Sequence, residues 1–362
     1  MSGRPPSARP PRRVLVIQLQ RLGDVLLSTP LLDDLHRAFP EARLDFLVGE
    51  GAAPLLDNHP LIAERIVFDA ARPRRTWKAV ITARYDWVLD VQSNPRTAPL
   101  TLASGARARV GWRIRGPWKL VYTHTVQRGG HPAVYVPVQR QRFLQALGVP
   151  TATPWPRLYL TAEERARGEG ELRALGLSGG QPIAGFVLSA NLPKREWGVE
   201  RFARAAQLLA ADGVQPLVFH NPGDDEKVAE FRGLVPGATV AQLPELRRMM
   251  GVIAACQVLV AGDTGPAHIA QALDVPTVTI FGPSNPLEWS PGRPNTVAVQ
   301  VPGTCRCIGR ARRICLANHE CMAAVTPVMV ADAALAHLGG HARPDSGPAT
   351  AAAGGATIED VP

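Results

Sequence analysis

Short apolar runs rich in Val, Ile and Leu alternate with amphipathic stretches along this chain, and the alternation runs through twice. In the first set, 14–19, 44–48, 65–68 and 87–91 read as strands, and 24–38 reads as a helix with Pro30 near its first turns. Apolar runs without polar interruption belong to strands covered on both faces, which means parallel sheet with helices above and below. The loop 150–156, with three prolines, closes this set. The second set reads as helices at 161–175, 198–212, 224–233, 244–255 and 266–273, interleaved with strands at 183–188, 215–220, 239–241, 257–261 and 277–281. The pattern predicts an α/β chain of two doubly wound, Rossmann-like domains facing a cleft, 13–160 and 161–340. The Pro/Arg-rich arm 1–12 and the tail 341–362 are expected to be disordered. Ligands of such sheets bind beyond the carboxyl ends of the strands, so the loops that follow strands are where chemistry is to be sought.

Composition narrows the class. At 46% hydrophobic and 20% charged residues, the 362-residue chain can fill two cores and is no disordered polyelectrolyte. No apolar run approaches the ~18–20 residues of a membrane span. The arginine-rich start is followed by an apolar stretch that ends at Gln18 and Gln20, so no signal peptide is expected and a cytoplasmic protein is. The net charge of +9 is concentrated: 91–162 holds ten basic residues and no Asp or Glu, leaving the remainder at −1. Codon bias accounts for 36 arginines against four lysines, but it does not remove carboxylates from one segment. A field of that kind suits an anionic partner, either a phosphorylated lipid surface or nucleic acid. Against nucleic acid, there is no recognised motif and no basic helix with interleaved aromatics.

Four motifs could carry chemistry. In 20–24 (QRLGD), Gly23 permits a tight turn after the first strand, and Asp24 is either a general base or an ordinary helix cap. In 189–197 (SANLPKREW), Lys194 follows a strand, where it either neutralises a phosphate as a point charge or belongs to a solvated loop. In 260–268 (VAGDTGPAH), a strand turns into a helix opening at Pro266. The N–H groups of 264–266 and the helix dipole there make an anion cradle, with His268 one turn in; the bland alternative is an Asx turn plus a cap. Last, Cys305, Cys307, Cys315 and Cys321 have a spacing that could hold a structural Zn²⁺ or could be unrelated thiols; Cys256 stands apart.

Taken in order, 13–32 (RVLVIQLQRLGDVLLSTPLL), 193–209, 217–228 (LVFHNPGDDEKV) and 258–289, with 321–330 as a closing segment, resemble glycosyltransferase family 9, the ADP-heptose:lipopolysaccharide heptosyltransferases. The resemblance spans roughly 13–338 and implies a GT-B fold and inverting transfer that needs no metal or other cofactor. It implies Asp24 as general base, Lys194 as diphosphate ligand, and Asp263, Thr264, Gly265 and His268 as the nucleotide-diphosphate loop. An acidic residue after the strand ending at His220 should meet the nucleoside. Asp224 and Glu226 both qualify, because His220-Asn221 stands where the family has a glycine pair. The implied donor is ADP-heptose and the implied acceptor an anionic, lipid-linked saccharide. The acceptor would be met by Gly23, Arg107, Arg109, Arg113, Arg115 and Lys119, with the protein peripheral at the inner membrane. The alternatives are a transferase of the same family using another nucleotide sugar and, more distantly, a nucleic-acid-binding protein.

Overall fold

Strand β1 (Arg13–Gln18) carries Val14, Leu15, Val16 and Ile17, none with any exposed surface. A strand sealed on both faces must lie inside a sheet covered by helices. The computed structural model describes residues 9–129, 133–152, 154–177, 180–304, 315 and 319–339, and the chain divides into two compact units, Met1–Tyr159 and Leu160–Pro362.

In unit 1, β1 is followed by α1 (Leu22–Leu26), α2 (Pro30–Ala38), β2 (Arg43–Gly49), β3 (Glu64–Phe68), α3 (Pro73–Thr82) and β4 (Trp87–Asp90). Then come α4 (Ala98–Ala103), β5 (Ala108–Trp112), a 3-10 turn at Pro117–Val121, β6 (His124–Val126) and α5 (Val136–Gln145). All pairings are parallel, in the order β3-β2-β1-β4-β5-β6. The one helix expected at 24–38 is two helices. Pro30 has no N–H and its ring clashes with the carbonyl four residues back, so it opens α2 after a turn at 27–29 and cannot continue α1. Strands β5 and β6 were not legible in the sequence: β5 is interrupted by Arg109 and β6 is only three residues long. Residues 9–12, assigned by composition to a disordered arm, are held against the sheet, Arg12 N donating to Asp86 Oδ2 at 2.7 Å. The tail 341–362 lies outside the described residues.

Unit 2 begins with α6 (Ala162–Ala174), whose capping box has Thr161 and Glu164 bonding each other's backbone N–H. There follow β7 (Ile183–Val187), a 3-10 turn at Pro193–Arg195, α7 (Val199–Ala211), β8 (Gln215–His220), α8 (Asp225–Leu234), β9 (Thr239–Gln242), α9 (Leu246–Ala255) and β10 (Val258–Gly262). The chain closes with α10 (Gly265–Ala272), β11 (Thr277–Ile280), α11 (Pro286–Trp289), β12 (Thr296–Val299), α12 (Glu320–Ala323) and α13 (Pro327–His337). This sheet too is parallel throughout, in the order β12-β11-β10-β7-β8-β9, and β12 is a sixth strand beyond those read from sequence. Helices α6 and α9 approach so closely that a Cβ on Gly168 would stand 2.1 Å from the Gly251 carbonyl oxygen. Ion pairs of Glu164 with Arg247 and Glu171 with Arg248 fasten the same contact.

The α/β class and the two doubly wound sheets expected of the chain are both present.

Candidate active site

Each sheet has one place where neighbouring strands send their connections in opposite directions, and loops part there to leave a ligand-sized opening. In unit 1 it lies between β1 and β4, and in unit 2 between β7 and β10. The sequence motifs follow β1, β7 and β10.

Beyond β1, Leu19 N donates to Gln92 Oε1 at 2.9 Å, tying the loop to the one after β4. Gly23 is buried in α1, and Asp24 is in its first turn. Asp24 is not a cap: the N-cap position is Arg21, with no side-chain cap bond. Its Oδ1 instead accepts from Arg140 Nη2 at 2.7 Å. The other arm of that guanidinium donates to the Asp24 carbonyl and, at 2.9 Å, to Ser28 Oγ. Arg140, on α5, is 4% exposed while the Asp24 side chain keeps 22%. Burial pulls the Arg140 pKa down and the Asp24 charge opposes the fall. The result is a carboxylate at the sheet's opening, gripped from behind and open in front. That geometry suits a general base.

The basic residues expected beside Asp24 divide by position. Arg107 donates to the carbonyls of Arg9 and Pro10 at 2.6 and 3.2 Å, and Arg109 to those of Val121 and Ala106, both at 2.6 Å. Both belong to the N-terminal end of β5, where Ala108 is level with Trp87 of β4, which in turn is level with Val14 of β1. They therefore stand at the end of the sheet opposite Asp24, occupied with backbone carbonyls. Arg113, Arg115 and Lys119 are exposed on the connection from β5 to β6. Arg128, also exposed, lies over the Trp112 ring at 5.5 Å, just past the C-terminal end of β5.

In unit 2 the loops after β7, β8, β10 and β11 converge. Lys194 and Arg195 lie in the turn after β7, with Lys194 buried. Asp263 Oδ2 is 3.0 Å from Arg195 Nη1, and Asp263 Oδ1 is 3.7 Å from His268 Nε2. Burial alone would raise the Asp263 pKa, but His268, Arg195 and the Ser284 hydroxyl outweigh it and hold the carboxyl below its ordinary value. His268 Nδ1 lies 3.3 Å from Gln271 Oε1, so both ring nitrogens face acceptors. Thr264 occupies the N-cap of α10 without bonding its own helix, and its Oγ1 is buried with no hydrogen-bond partner, as is Arg195 Nε. Donors of this kind at the start of a helix are suited to receive an anion. One expectation needs correction: Pro266 has no N–H, so the cradle expected at 264–266 has backbone donors only at Thr264 and Gly265.

Of the two nucleoside candidates, Asp224 is buried and accepts from Ser189 Oγ at 2.7 Å and Asn221 Nδ2 at 3.1 Å, linking the loops after β7 and β8. Glu226 is exposed in the first turn of α8. Lys227, on the same helix, reaches Glu196 Oε1 at 2.6 Å. Of the cysteines, Cys305 and Cys307 lie outside the described residues, while Cys321 is buried and Cys315 Sγ accepts from His319 N at 3.2 Å. Among the described residues no three His, Cys, Asp or Glu side chains gather as a metal site. Sequence reasoning missed Arg140, Arg195 and Ser284 as site residues. Arg195 adjoins Lys194 and was within reach, but nothing in spacing connects Arg140 to Asp24 or Ser284 to Asp263.

The model of glycosyltransferase family 9 (heptosyltransferase) matches residues 73–315. The chain belongs to glycosyltransferase family 9. It is thus a glycosyltransferase, and the matched range holds Lys194 and the 263–268 loop. That range begins beyond Asp24, so the place of Asp24 rests on the geometry of unit 1. The chain is similar to lipopolysaccharide heptosyltransferase 2 of Salmonella typhimurium, 26% identical over 296 residues that cover 76% of this chain and 84% of the relative. The solved structure of E. coli ADP-heptose LPS heptosyltransferase II is similar with a TM-score of 0.74 at 22% identity, covering 90% of this chain and 98% of that one. The E. coli heptosyltransferase WaaC with ADP-2-deoxy-2-fluoro heptose is similar with a TM-score of 0.59 at 25% identity, covering 80% and 94%. The likeness of fold places this member of the family in the GT-B class, with its two doubly wound sheets. Among the described residues no helix is long and apolar enough to cross a membrane.

Proposed function

We propose that this glycosyltransferase moves a heptosyl group from ADP-heptose to a hydroxyl of an anionic, lipid-linked saccharide of the lipopolysaccharide inner core, with inversion at the anomeric carbon. The observation that carries the donor side is the buried group after β7 and β10: Lys194, the Arg195–Asp263–His268 chain, and the start of α10 with its unpartnered Thr264 hydroxyl. A diphosphate supplies an acceptor oxygen for the Thr264 hydroxyl and negative charge for the cations around it. The sugar and base come from the relatives, one of which was solved with ADP-2-deoxy-2-fluoro heptose.

The steps follow from the residues. Asp24 takes the proton of the acceptor hydroxyl as its oxygen bonds to the anomeric carbon from the face opposite the leaving group. As the bond from that carbon to the diphosphate breaks, positive charge develops on the sugar ring in the transition state, is neutralised by the new bond to the acceptor oxygen, and negative charge remains on the departing ADP. Lys194 and the N–H groups of Thr264 and Gly265 receive the negative charge in a site already organised for it. With those cations and dipoles in place, the chemical step is proposed to need no divalent ion. Base catalysis is worth ~10²–10⁴-fold. Removing one anion donor costs ~10²–10³-fold, taking oxyanion holes as the guide. Arg128, exposed beyond β5, is the cation proposed to meet an anionic group of the acceptor.

Thermal stabilisation by ADP, UDP and GDP, measured on the full chain and on Lys194→Ala and Asp24→Ala, tests the proposal. At ~100 times its Kd a nucleotide adds about 2.7 kcal/mol. Stabilisation by ADP that disappears in Lys194→Ala and persists in Asp24→Ala is expected, together with ADP release from ADP-heptose that Asp24→Ala abolishes. A preference for UDP or GDP would discard ADP-heptose, and no stabilisation by any nucleotide would overturn the diphosphate site.

A further inference from the structure

Exposed large apolar side chains are scattered singly on most proteins and need no explanation; a contiguous pair with a uniform charge around it does. Among the described residues, Leu120 is the most exposed such side chain at 79%, and Leu102 follows at 52% together with Leu287. Leu102 and Leu120 line one shallow pocket of about 230 Å³ with Pro117, Trp118 and Val121. The surface is built to be displayed. Gly116, at φ 85°, turns the chain into the 3-10 turn at 117–121, a backbone conformation that L side chains rarely adopt. Beneath it Ala98, Val121 and Tyr122 form a small core, and Tyr122 is anchored by its hydroxyl to Asp90 at 2.7 Å. The leucines are thus held outward by a fixed base, with no segment among the described residues covering them.

The charge along the segment that carries them has one sign. Arg113, Arg115 and Lys119 are exposed on the same connection, and no Asp or Glu occurs from 91 to 162. Lys119 and Leu120 are exposed side by side, a cation and an aliphatic chain suited to a water–lipid boundary, while the half-buried Trp118 ring packs on the small core beneath them. We propose that the 113–121 connection, with Leu102 of α4, docks this protein on an anionic lipid bilayer, Leu102 and Leu120 entering the headgroup region and Arg113, Arg115 and Lys119 lying against lipid phosphates. A second copy of the chain is a poor occupant, because mating this patch with itself sets three cations against three. Arg113, Arg115 and Lys119, expected from sequence to bind the acceptor saccharide, are here assigned to the membrane that carries it. This docking deepens the lipid-facing part of the proposed function, on which it rests only for what the membrane bears.

Co-sedimentation of the full chain with vesicles tests it, comparing phosphatidylcholine alone with phosphatidylcholine plus phosphatidylglycerol. The expected result is binding to the anionic vesicles alone, weakened by salt. Leu102→Gln/Leu120→Gln is expected to lower that partition by about tenfold or more. Arg113→Gln/Arg115→Gln/Lys119→Gln should lower it by about fivefold per charge. The leucine pair should keep the parent melting temperature and its turnover on a water-soluble, delipidated acceptor. Equal binding to neutral and anionic vesicles, or binding that the leucine pair leaves intact, overturns the proposal. So does a chain that ignores vesicles and forms a dimer that Leu120→Gln dissolves. Because ADP stabilisation is read without lipid, vesicle binding without an ADP response would keep the docking surface and refute the donor, and the reverse would separate them equally well.

Discussion

Replacing Arg140 by Met removes the grip on Asp24 while nearly preserving volume. Three donor contacts disappear: to Asp24 Oδ1, to the Asp24 carbonyl and to Ser28 Oγ. The losses are unequal. The Asp24 carbonyl still accepts from Ser28 Oγ at 2.9 Å, and the Asp24 carboxylate keeps 22% exposure, so water can reach it. Taking an almost fully buried cation out of the protein also relieves a desolvation cost. A hydrogen bond to a charged group contributes ~1.5–3 kcal/mol, and with that relief the net loss should be about 2 kcal/mol. For a unit of this size, a melting temperature lower by about 4–8 °C follows. The catalytic effect should be larger than the stability effect suggests, because a base displaced by about 1 Å loses ~10²-fold in rate. The assay is steady-state ADP release at fixed, saturating ADP-heptose, with acceptor varied, alongside a melting curve with and without ADP. Turnover should fall about a hundredfold, ADP should stabilise the variant as well as it does the parent, and Arg140→Lys should recover part of the rate by restoring one charge and one contact. Turnover within threefold of the parent, at the expected melting shift, would refute the reasoning and leave Arg140 a structural residue only.

Three further outcomes are expected. His59 is buried, stacked edge-on against Tyr159 at 4.9 Å between ring centroids, and its pKa is pushed down to about 4 by burial from an ordinary 6.5. Below 6.5 the unfolded chain binds a proton that the folded one refuses, so unit 1 should lose stability as the pH falls from 6.5 toward 4, by up to roughly 3 kcal/mol; in denaturant titrations His59→Gln should flatten that limb. Gly168→Ala improves helix propensity by up to ~1 kcal/mol, yet its Cβ would stand 2.1 Å from a backbone carbonyl oxygen. It should therefore destabilise by about 1–3 kcal/mol in chemical denaturation, and a gain in stability would show that α6 and α9 separate freely. Thr264→Val keeps the shape of the loop and removes the unpartnered hydroxyl, so in the absence of nucleotide it should leave the melting temperature unchanged or raised. The same variant should weaken ADP affinity in calorimetry by about five- to tenfold, and unchanged affinity would remove Thr264 from the site.

Much of the molecule is legible in the sequence alone. Burial on both faces leaves a local trace, because the middle of a strand such as β1, β7 or β10 must then be apolar at consecutive positions. The motifs lie directly after those strands, so their arrival at the carboxyl ends of the sheets follows from chain continuity. The Asp263 loop announces itself in the same way, since Gly-Asp-Thr-Gly-Pro is a strand end, a turn and a helix start in five residues. Failures came where a local signal was short or mixed. Strands β5, β6 and β12 are three to five residues long, and Pro30 stands inside a continuous helical pattern that it divides.

What the sequence could not decide is everything that depends on which strands become neighbours. Arg140 meets Asp24 across 116 residues because β1 lies beside β4 and α5 packs against α2, and no periodicity encodes such a meeting. The acid-free segment shows the same division. Its composition suits an anionic partner, but the sheet order sends Arg107 and Arg109 to backbone carbonyls at the far end of unit 1, buries Arg140 behind the Asp24 carboxylate, and leaves Arg113, Arg115 and Lys119 in the open beside two exposed leucines. Composition sums charge along the chain, whereas function depends on where each charge stands and on what already faces it, and both are settled by long-range packing.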